Sequence, residues 1–557
     1  MADSRRCSSL VWASAGLGSA LTVAACVLLR LGMLPLGIVG QWIWPLRQYS
    51  LAIQPTTAAG FAIAVGAAVY VLHLVVPHRT PKRDQLLIGL LLCCLTAFGL
   101  MAGLFLAEPH PFVRAAQASC ATHALPYYEQ AMSSSSVGEL LRGYGDFAHR
   151  QSLPDRLRTH PPGQVVYFYY ARLALFSSPA LVRIGGELLR AEGITPDQAT
   201  ALLTGYTTRP LTGDDVVVGL LSALILTLSG CAIPALLAIV ARSLADIRTA
   251  LLAALLSATI PSVLLFVPSI DGLGVVLGLS ALASYLWAVR RGSRALAALS
   301  GLLWVATFFW SIGLLFLALP AAGVLWYRVR SPQTACLASG AQDASGWGPD
   351  DDGSLLPSRN SPRRAIAITV GVLLVFVASL TVLYMASGYN AAANVAEIMR
   401  VQSHIMGEAG RDRLTWLVMN IYEFALFMGP MLLVTSLAGL GCALSRRRQA
   451  TDGDRATDGV TDEVAGGATD RAPSGRILGY FGAGLLLAFA LLDISGSTRG
   501  EVGRIWVFLM PLFALFSADA TRHLPRRWWP AYIVPIVVAQ AVYAYCLLAT
   551  IVPVQPY

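Results

Sequence analysis

Apolar runs of roughly 17 to 25 residues, each long enough to cross a hydrocarbon core of about 30 Å as a helix, recur from one end of the chain to the other. That recurrence leaves no stretch for a large soluble domain. With 56% hydrophobic and 13% charged residues and a mean hydropathy of +0.62, the 557-residue chain is too apolar for a soluble multidomain protein. The expected fold class is an all-α polytopic membrane protein. A net charge of +9 would suggest a nucleic-acid partner in a soluble protein, but the arginines sit in short links between apolar runs, where they signal topology instead. No nucleic-acid partner is expected. Only Lys82 of the 40 basic residues is lysine, which with the alanine content associates the chain with a GC-rich bacterial genome. The expected location is the bacterial inner (plasma) membrane.

Read in order, residues 1–107 hold the first three transmembrane helices. The polar start carries Arg5 and Arg6 and leads into Leu10 to Leu29, too long for the apolar part of a signal peptide, so it reads as a retained helix with a cytoplasmic N-terminus. Trp42 and Trp44 read as interfacial anchors. Thr57 to Val76 and Gln85 to Ala107 flank the basic turn His78 to Arg83. Residues 108–215 form a large external loop with interfacial helices. Within it Gln164 to Phe176 is apolar but makes only about 20 Å of helix, so a partly inserted or re-entrant helix is expected. A full crossing would turn the basic stretch Arg242 to Arg248 outward.

Residues 216–330 supply the central helices, at Val216 to Val240, Leu251 to Val267, Leu273 to Val289 and a hairpin within Ala295 to Tyr327. Residues 331–364, rich in Ser, Pro, Gly and Asp, read as a flexible cytoplasmic linker. Residues 365–444 read as a transmembrane pair around an external loop, and 445–476 as a disordered cytoplasmic linker. Residues 477–557 complete the chain with helices at Ile477 to Leu492, Ile505 to Ser517 and Tyr532 to Ile551. This makes about thirteen crossings, N-terminus in and C-terminus external. The absence of an internal period weighs against an inverted-repeat transporter.

On this topology the polar residues gather on the external face. Asp271 sits between two apolar runs, and Glu423 lies about 13 Å into another. Ionisable groups so placed face a cavity or a partner, while an interfacial cap or a buried polar pair is the structural alternative. Arg499, Glu501 and Arg504 stand at a helix entrance, where guanidinium groups would hold a phosphate or Glu501 would pair with Arg504 at helical spacing. In the large loop His123, Tyr127, Tyr128, Glu129, Asp146 and His160 offer acid/base and sugar-stacking groups. Proline's locked φ at Pro161-Pro162 fixes the chain direction beside His160, which would orient a carboxylate or phosphate or cap the structure. The nine cysteines show neither a disulfide framework nor metal-ligand spacing.

The combination of Thr159-His160-Pro161-Pro162-Gly163, Pro268-Ser269-Ile270-Asp271 and Gly500-Glu501-Val502-Gly503-Arg504-Ile505-Trp506 resembles the GT-C membrane glycosyltransferases. It looks most like the bacterial relatives of dolichyl-phosphate-mannose protein mannosyltransferases and of lipid A aminoarabinose transferase. The resemblance implies a polyprenyl-phosphate-linked sugar as donor, inversion at the anomeric carbon, an active site at the outer face, and a lipid, glycan or protein acceptor in the cell envelope. It specifies no cofactor, a divalent cation being the one compatible addition. These transferases carry an acidic catalytic base just before a Tyr-x-Glu-x-Ala element, and matching that element to Tyr127 to Ala131 puts His123 there instead. His123, Asp146, Asp271 and Glu423 are therefore the candidate catalytic groups. His160, Tyr127, Tyr128, Glu129, Arg499, Glu501 and Arg504 are the candidate substrate-binding residues. A lipid or polysaccharide flippase and a noncatalytic envelope-assembly protein are the rival functional classes.

Overall fold

The computed structural model describes residues 2–77, 81–121, 126–145, 153–266, 268–330, 362–456 and 472–553. Apart from a ribbon pairing Gly37–Ile38 with Trp42–Ile43, the named elements among these residues are helices. Among the described residues nine helices are long and apolar enough to cross a membrane, or up to eleven if each of two sharply bent pairs is one span. Helix Pro362–Ser387 shows why lipid is the required solvent: Leu373, Leu374, Val377 and Val382 lie exposed along it, a continuous apolar face that water would not tolerate. The protein is a polytopic, multi-pass membrane protein.

Local chemistry fixes where the helices begin and end. Thr212 and Asp215 form a reciprocal cap at the start of helix Gly213–Gly230, and the Asp246 carboxylate accepts the Thr249 N–H at 2.8 Å to start helix Ile247–Ser257. Helix Asp271–Arg291 stops at Gly292, whose φ of +64° suits a residue without a Cβ, and Ser293 caps helix Arg294–Trp310 immediately afterwards.

Several expected crossings are interrupted, and proline is at each break. The stretch expected as one crossing over Leu251 to Val267 divides into helices Ile247–Ser257 and Pro261–Leu265, because Pro261 lacks the N–H that would continue the ladder. Residues 251–266 are buried throughout, so the irregular backbone is shielded from lipid, as it must be at membrane depth. The expected segment Leu414 to Leu444 is two helices, Arg413–Met428 and Pro430–Ala456, bent by 106° at Gly429 (φ +87°) and Pro430. The segment expected over Ile505 to Ser517 is a short turn, Val502–Ile505, followed by helix Met510–Ala520. Helix Gly163–Phe176 meets helix Pro179–Ala191 at 100°, so the pair is a broken span or a re-entrant loop. Of the stretches read as cytoplasmic linkers, 331–361 and 457–471 lie outside the described residues, while helices Pro430–Ala456 and Ala472–Ser495 extend into the span 445–476.

Candidate functional site

The breaks gather the charged residues. Asp271 is the first residue of helix Asp271–Arg291, where a carboxylate is favoured by the helix dipole. Ser269 holds it by donating its hydroxyl to Oδ2 at 2.6 Å while accepting the Asp271 N–H at 3.0 Å. Arg504, on the turn Val502–Ile505, lies with Nε 3.4 Å from Asp271 Oδ2 and Nη2 2.6 Å from Glu501 Oε2. One guanidinium therefore serves two carboxylates. The side chains of Asp271, Arg504 and Glu501 keep 25%, 28% and 14% of their surface, so the cluster is reachable from outside.

The motif around His160 reaches the same cluster. The His160 and Tyr127 rings meet edge to face with centroids 6.0 Å apart. Burial pushes the His160 pKa down to about 4, and the positive charges of Arg504 and Arg156 act in the same direction against the Arg156 carbonyl and Glu501. The imidazole is thus neutral at physiological pH. Its Nδ1 lies 3.0 Å from the Arg156 carbonyl oxygen, which only accepts, so Nδ1 carries the proton and Nε2 keeps its lone pair. Burial raises the Tyr127 phenol far above its ordinary range, although Arg156 and Arg504 pull it down. Tyr127, Arg156, His160, Asp271, Glu501 and Arg504 form one electrostatic group.

Trp310 joins the two halves. Its indole donates to the Ile270 carbonyl at 3.0 Å, next to Asp271, and its own carbonyl accepts from Gln164 Nε2 at 3.1 Å, beside Gly163. A Cβ on Gly163 would overlap the Phe309 carbonyl, so the glycine of the Pro-Pro-Gly sequence is a close-approach residue between two helices. Glu423 works from behind. Only 4% exposed, its Oε1 accepts the Trp44 indole N–H at 2.8 Å and the Gly503 N–H at 3.3 Å, fixing the turn that carries Arg504. Glu501 itself has a φ of +58°, a sparsely populated conformation for a residue with a Cβ. It is overdetermined by the Arg504 and Ile505 N–H groups, which donate to its carbonyl at 3.0 and 2.9 Å.

The other expected site residues are placed differently. The Tyr128 hydroxyl donates to the Asp215 backbone carbonyl and side chain, both at 3.2 Å, and Glu129 takes a hydrogen bond from Thr208, with Arg209 Nε 4.0 Å away. Both pin the loop to the entrance of helix Gly213–Gly230. Arg499 donates to the Arg411 carbonyl at 2.6 Å and to the Gly496 carbonyl at 3.2 Å, knitting two loops together. His123 and Asp146 lie outside the described residues. Trp44 is only 3% exposed and packs between Phe266 and Phe427 at 5.2 and 4.9 Å, so the expected interfacial anchor is a core residue. Sequence reasoning missed Arg156, and it named Ser269 only within the Pro-Ser-Ile-Asp motif, without a role. Arg156 stands one helical turn before His160, a spacing that was available in the sequence.

Asp271 and Ser269 line a small opening together with Met101, Leu226, Ile233, Val263 and Phe266. Another lies between Leu104, Leu265 and Leu548 with Glu108 and Arg114 at its polar end. There Glu108 pairs with Arg114 and, at 2.5 Å, with Arg47. The first opening is the one that touches the charged group of Asp271 and Arg504.

No protein-family model matches the sequence, and no curated protein matches it. Among solved structures the chain is similar to the oligosaccharyltransferase of Archaeoglobus fulgidus. Its complex with zinc and sulfate matches at 14% identity over 67% of this chain and 44% of that one, with a TM-score of 0.33. The form tethered to an acceptor peptide matches at 14% identity over 67% and 46%, TM-score 0.33. The same organism's oligosaccharyltransferase AglB, in complex with an inhibitory peptide and a dolichol-phosphate, matches at 12% identity over 88% and 55%, TM-score 0.37. The chain spans about half the length of these solved chains.

Proposed function

We propose that the chain is an inverting glycosyltransferase that moves a sugar from a polyprenyl-phosphate carrier to a cell-envelope acceptor at the outer face of a bacterial plasma membrane. One observation carries the reading: Asp271, which shares Arg504 with Glu501, lines the end of a largely apolar opening. A ligand suited to such an opening has a phosphate head and a hydrocarbon tail. The subfamily named by the three motifs, the thirteen-crossing arrangement with both linkers cytoplasmic, and the external C-terminus belong to this proposal.

In the reaction, Arg504 and Arg156 hold the phosphate of the donor. Asp271 takes the proton from an acceptor hydroxyl as its oxygen attacks the anomeric carbon. The bond from that carbon to the phosphate oxygen breaks, and its electron pair leaves with the lipid phosphate, where the guanidinium groups compensate the charge that develops. His123 and Asp146 are the alternative bases. Neutral His160 supplies a lone pair at Nε2 for a hydroxyl of the sugar or acceptor. Tyr128, Glu129 and Arg499 support the loops around the cluster, and Glu423 positions Arg504.

The test is transfer from a panel of labelled polyprenyl-phosphate sugars to envelope lipids, glycans and peptides, with purified protein in lipid nanodiscs. A labelled product that is lost in Arg504→Ala, with the variant still folded, is the expected result; undiminished transfer by that variant overturns the assignment. Donor binding without product moves the reading to a flippase. Repeating the assay with a chelator reads out any dependence on a divalent cation.

A further inference from the structure

A second group of chemistry-bearing side chains lies at the other end of the bundle. Cys7 is near the start of helix Ala2–Arg30, whose far end, ~35 Å away, leads into the loop that carries Trp44. Cys442 is within helix Pro430–Ala456, and His523 is in the turn Thr521–His523. Their sulfur and imidazole nitrogen atoms all lie within 4.8 Å of one another. Cys442 is 1% exposed, Cys7 and His523 are half-buried, and both thiols are free.

Two features make this group more than a chance contact. The Nε2 atom of His523 is buried and has no hydrogen-bond partner among the described residues, a costly condition if nothing binds it. Thiols are weak donors and acceptors, so neither cysteine gains much from the other. A metal ion resolves both. Bonds of about 2.3 Å to sulfur and about 2.0 Å to nitrogen at tetrahedral angles separate ligand atoms by about 3.5 to 3.8 Å, which the group reaches by a small inward shift.

The donor set selects the ion. Two thiolates and one imidazole are soft and borderline ligands, suited to closed-shell Zn²⁺ or Cu⁺ rather than to Mg²⁺ or Ca²⁺. The surrounding charges are already paired: Asp519 with Arg446 and with Arg522 at 3.1 Å, and Arg522 with Asp246 at 2.8 Å. Zn²⁺ with two thiolates adds no net charge to this environment. Trp12 and Trp528 meet edge to face with centroids 6.0 Å apart close by, and Arg527 lies over Trp528, which marks this end as a membrane–water boundary from which an ion can enter.

We propose that Cys7, Cys442 and His523 form a binding site for one soft, closed-shell metal ion that clamps the N-terminal helix to helix Pro430–Ala456 and the Thr521–His523 turn. Zn²⁺ binding converts both thiols to thiolates and releases two protons to solvent, while the neutral imidazole donates its lone pair. Three protein ligands leave the fourth position to water. The site is separate from the Asp271 cluster and does not depend on the transferase reading.

The experiment uses the full chain in nanodiscs under reducing conditions, with any purification tag removed. After incubation with Zn²⁺ and desalting, one equivalent is retained, and Co²⁺ produces thiolate-to-cobalt absorption with the intense visible bands of a tetrahedral site. Cys442→Ser and Cys7→Ser each weaken retention at least tenfold and abolish the thiolate band. His523→Cys keeps the metal and strengthens that band, which a variant that merely misfolded would not do. A parallel titration with buffered Cu⁺ identifies which ion the site prefers. No retained metal and no thiolate band in the wild-type chain overturns the proposal, as does retention unchanged in Cys442→Ser. A Cys7–Cys442 disulfide recovered from membranes alkylated before lysis also overturns it.

Discussion

The Glu423 carboxylate accepts the backbone N–H of Gly503 at 3.3 Å, and with the same oxygen the Trp44 indole N–H at 2.8 Å. A buried carboxyl on one helix thereby sets the height and tilt of the turn that carries Arg504. This makes Glu423 a positioning residue, with a test that separates the role from proton transfer. Glu423→Gln keeps an acceptor oxygen and should retain transfer within a few-fold of wild type. Glu423→Ala strands two buried donors at a cost of about 1–3 kcal/mol each and should lower both thermal stability and turnover. If Glu423→Gln abolishes transfer in a folded protein, the carboxylate takes part in the chemistry.

Arg504 separates two carboxylates that would otherwise face each other. Arg504→Lys keeps one positive charge but loses the planar fork that contacts Asp271 and Glu501 together. We expect transfer to fall by about 100-fold or more, equivalent to at least ~2.7 kcal/mol of transition-state stabilisation. The matching decrease in Arg156→Ala should appear mainly as weaker donor binding. Turnover by Arg504→Lys equal to wild type would show that point charge suffices at this position.

The sequence disclosed the helical class through the length of its apolar runs, and it singled out Asp271, Glu501, Arg504, His160 and Tyr127 as candidate polar groups. It did not disclose their grouping, because contact between residues 127, 160, 271 and 504 depends on where interrupted helices stop. Pro261, Gly429 and Pro430 mark those interruptions, but run length alone reads through them. Tyr128, Glu129 and Arg499 were indistinguishable from their neighbours in composition; only their partners reveal that they brace the loops. Trp44 was misread for the same reason, since a tryptophan near a run end looks interfacial until Phe266, Phe427 and Glu423 enclose it. Cys7, Cys442 and His523 are too far apart in the chain for any local spacing to signal them.

His160 should leave a signature in the pH dependence of stability. Its folded pKa of about 4 lies below the unperturbed value of about 6.5, so between those values the unfolded state binds more protons than the folded one. Stability from this group is therefore full above pH 6.5 and is lost as pH falls toward 4, by up to about 3 kcal/mol. His160→Asn retains a donor toward the Arg156 carbonyl but does not titrate. The decrease in unfolding temperature between pH 7.5 and pH 5 should be smaller in this variant than in the wild type. Parallel pH profiles in the two proteins would place the proton uptake elsewhere. Transfer activity should show no limb from His160 between pH 6 and 8.

Gly163 tests the mechanical reading of the Pro-Pro-Gly sequence. A Cβ there would overlap the Phe309 carbonyl, a backbone atom that cannot rotate away, so Gly163→Ala has to push helix Gly163–Phe176 off helix Arg294–Trp310. The Gln164 to Trp310 hydrogen bond, and through Trp310 the turn before Asp271, would move with it. We expect a stability loss of about 1–3 kcal/mol together with reduced transfer, although Gly163 presents no chemical group to a substrate. Gly371→Ala, in helix Pro362–Ser387 where an added Cβ meets nothing within 4 Å, is the control and should be neutral. If Gly163→Ala is as stable and as active as this control, the glycine is not what sets the spacing between His160 and Asp271.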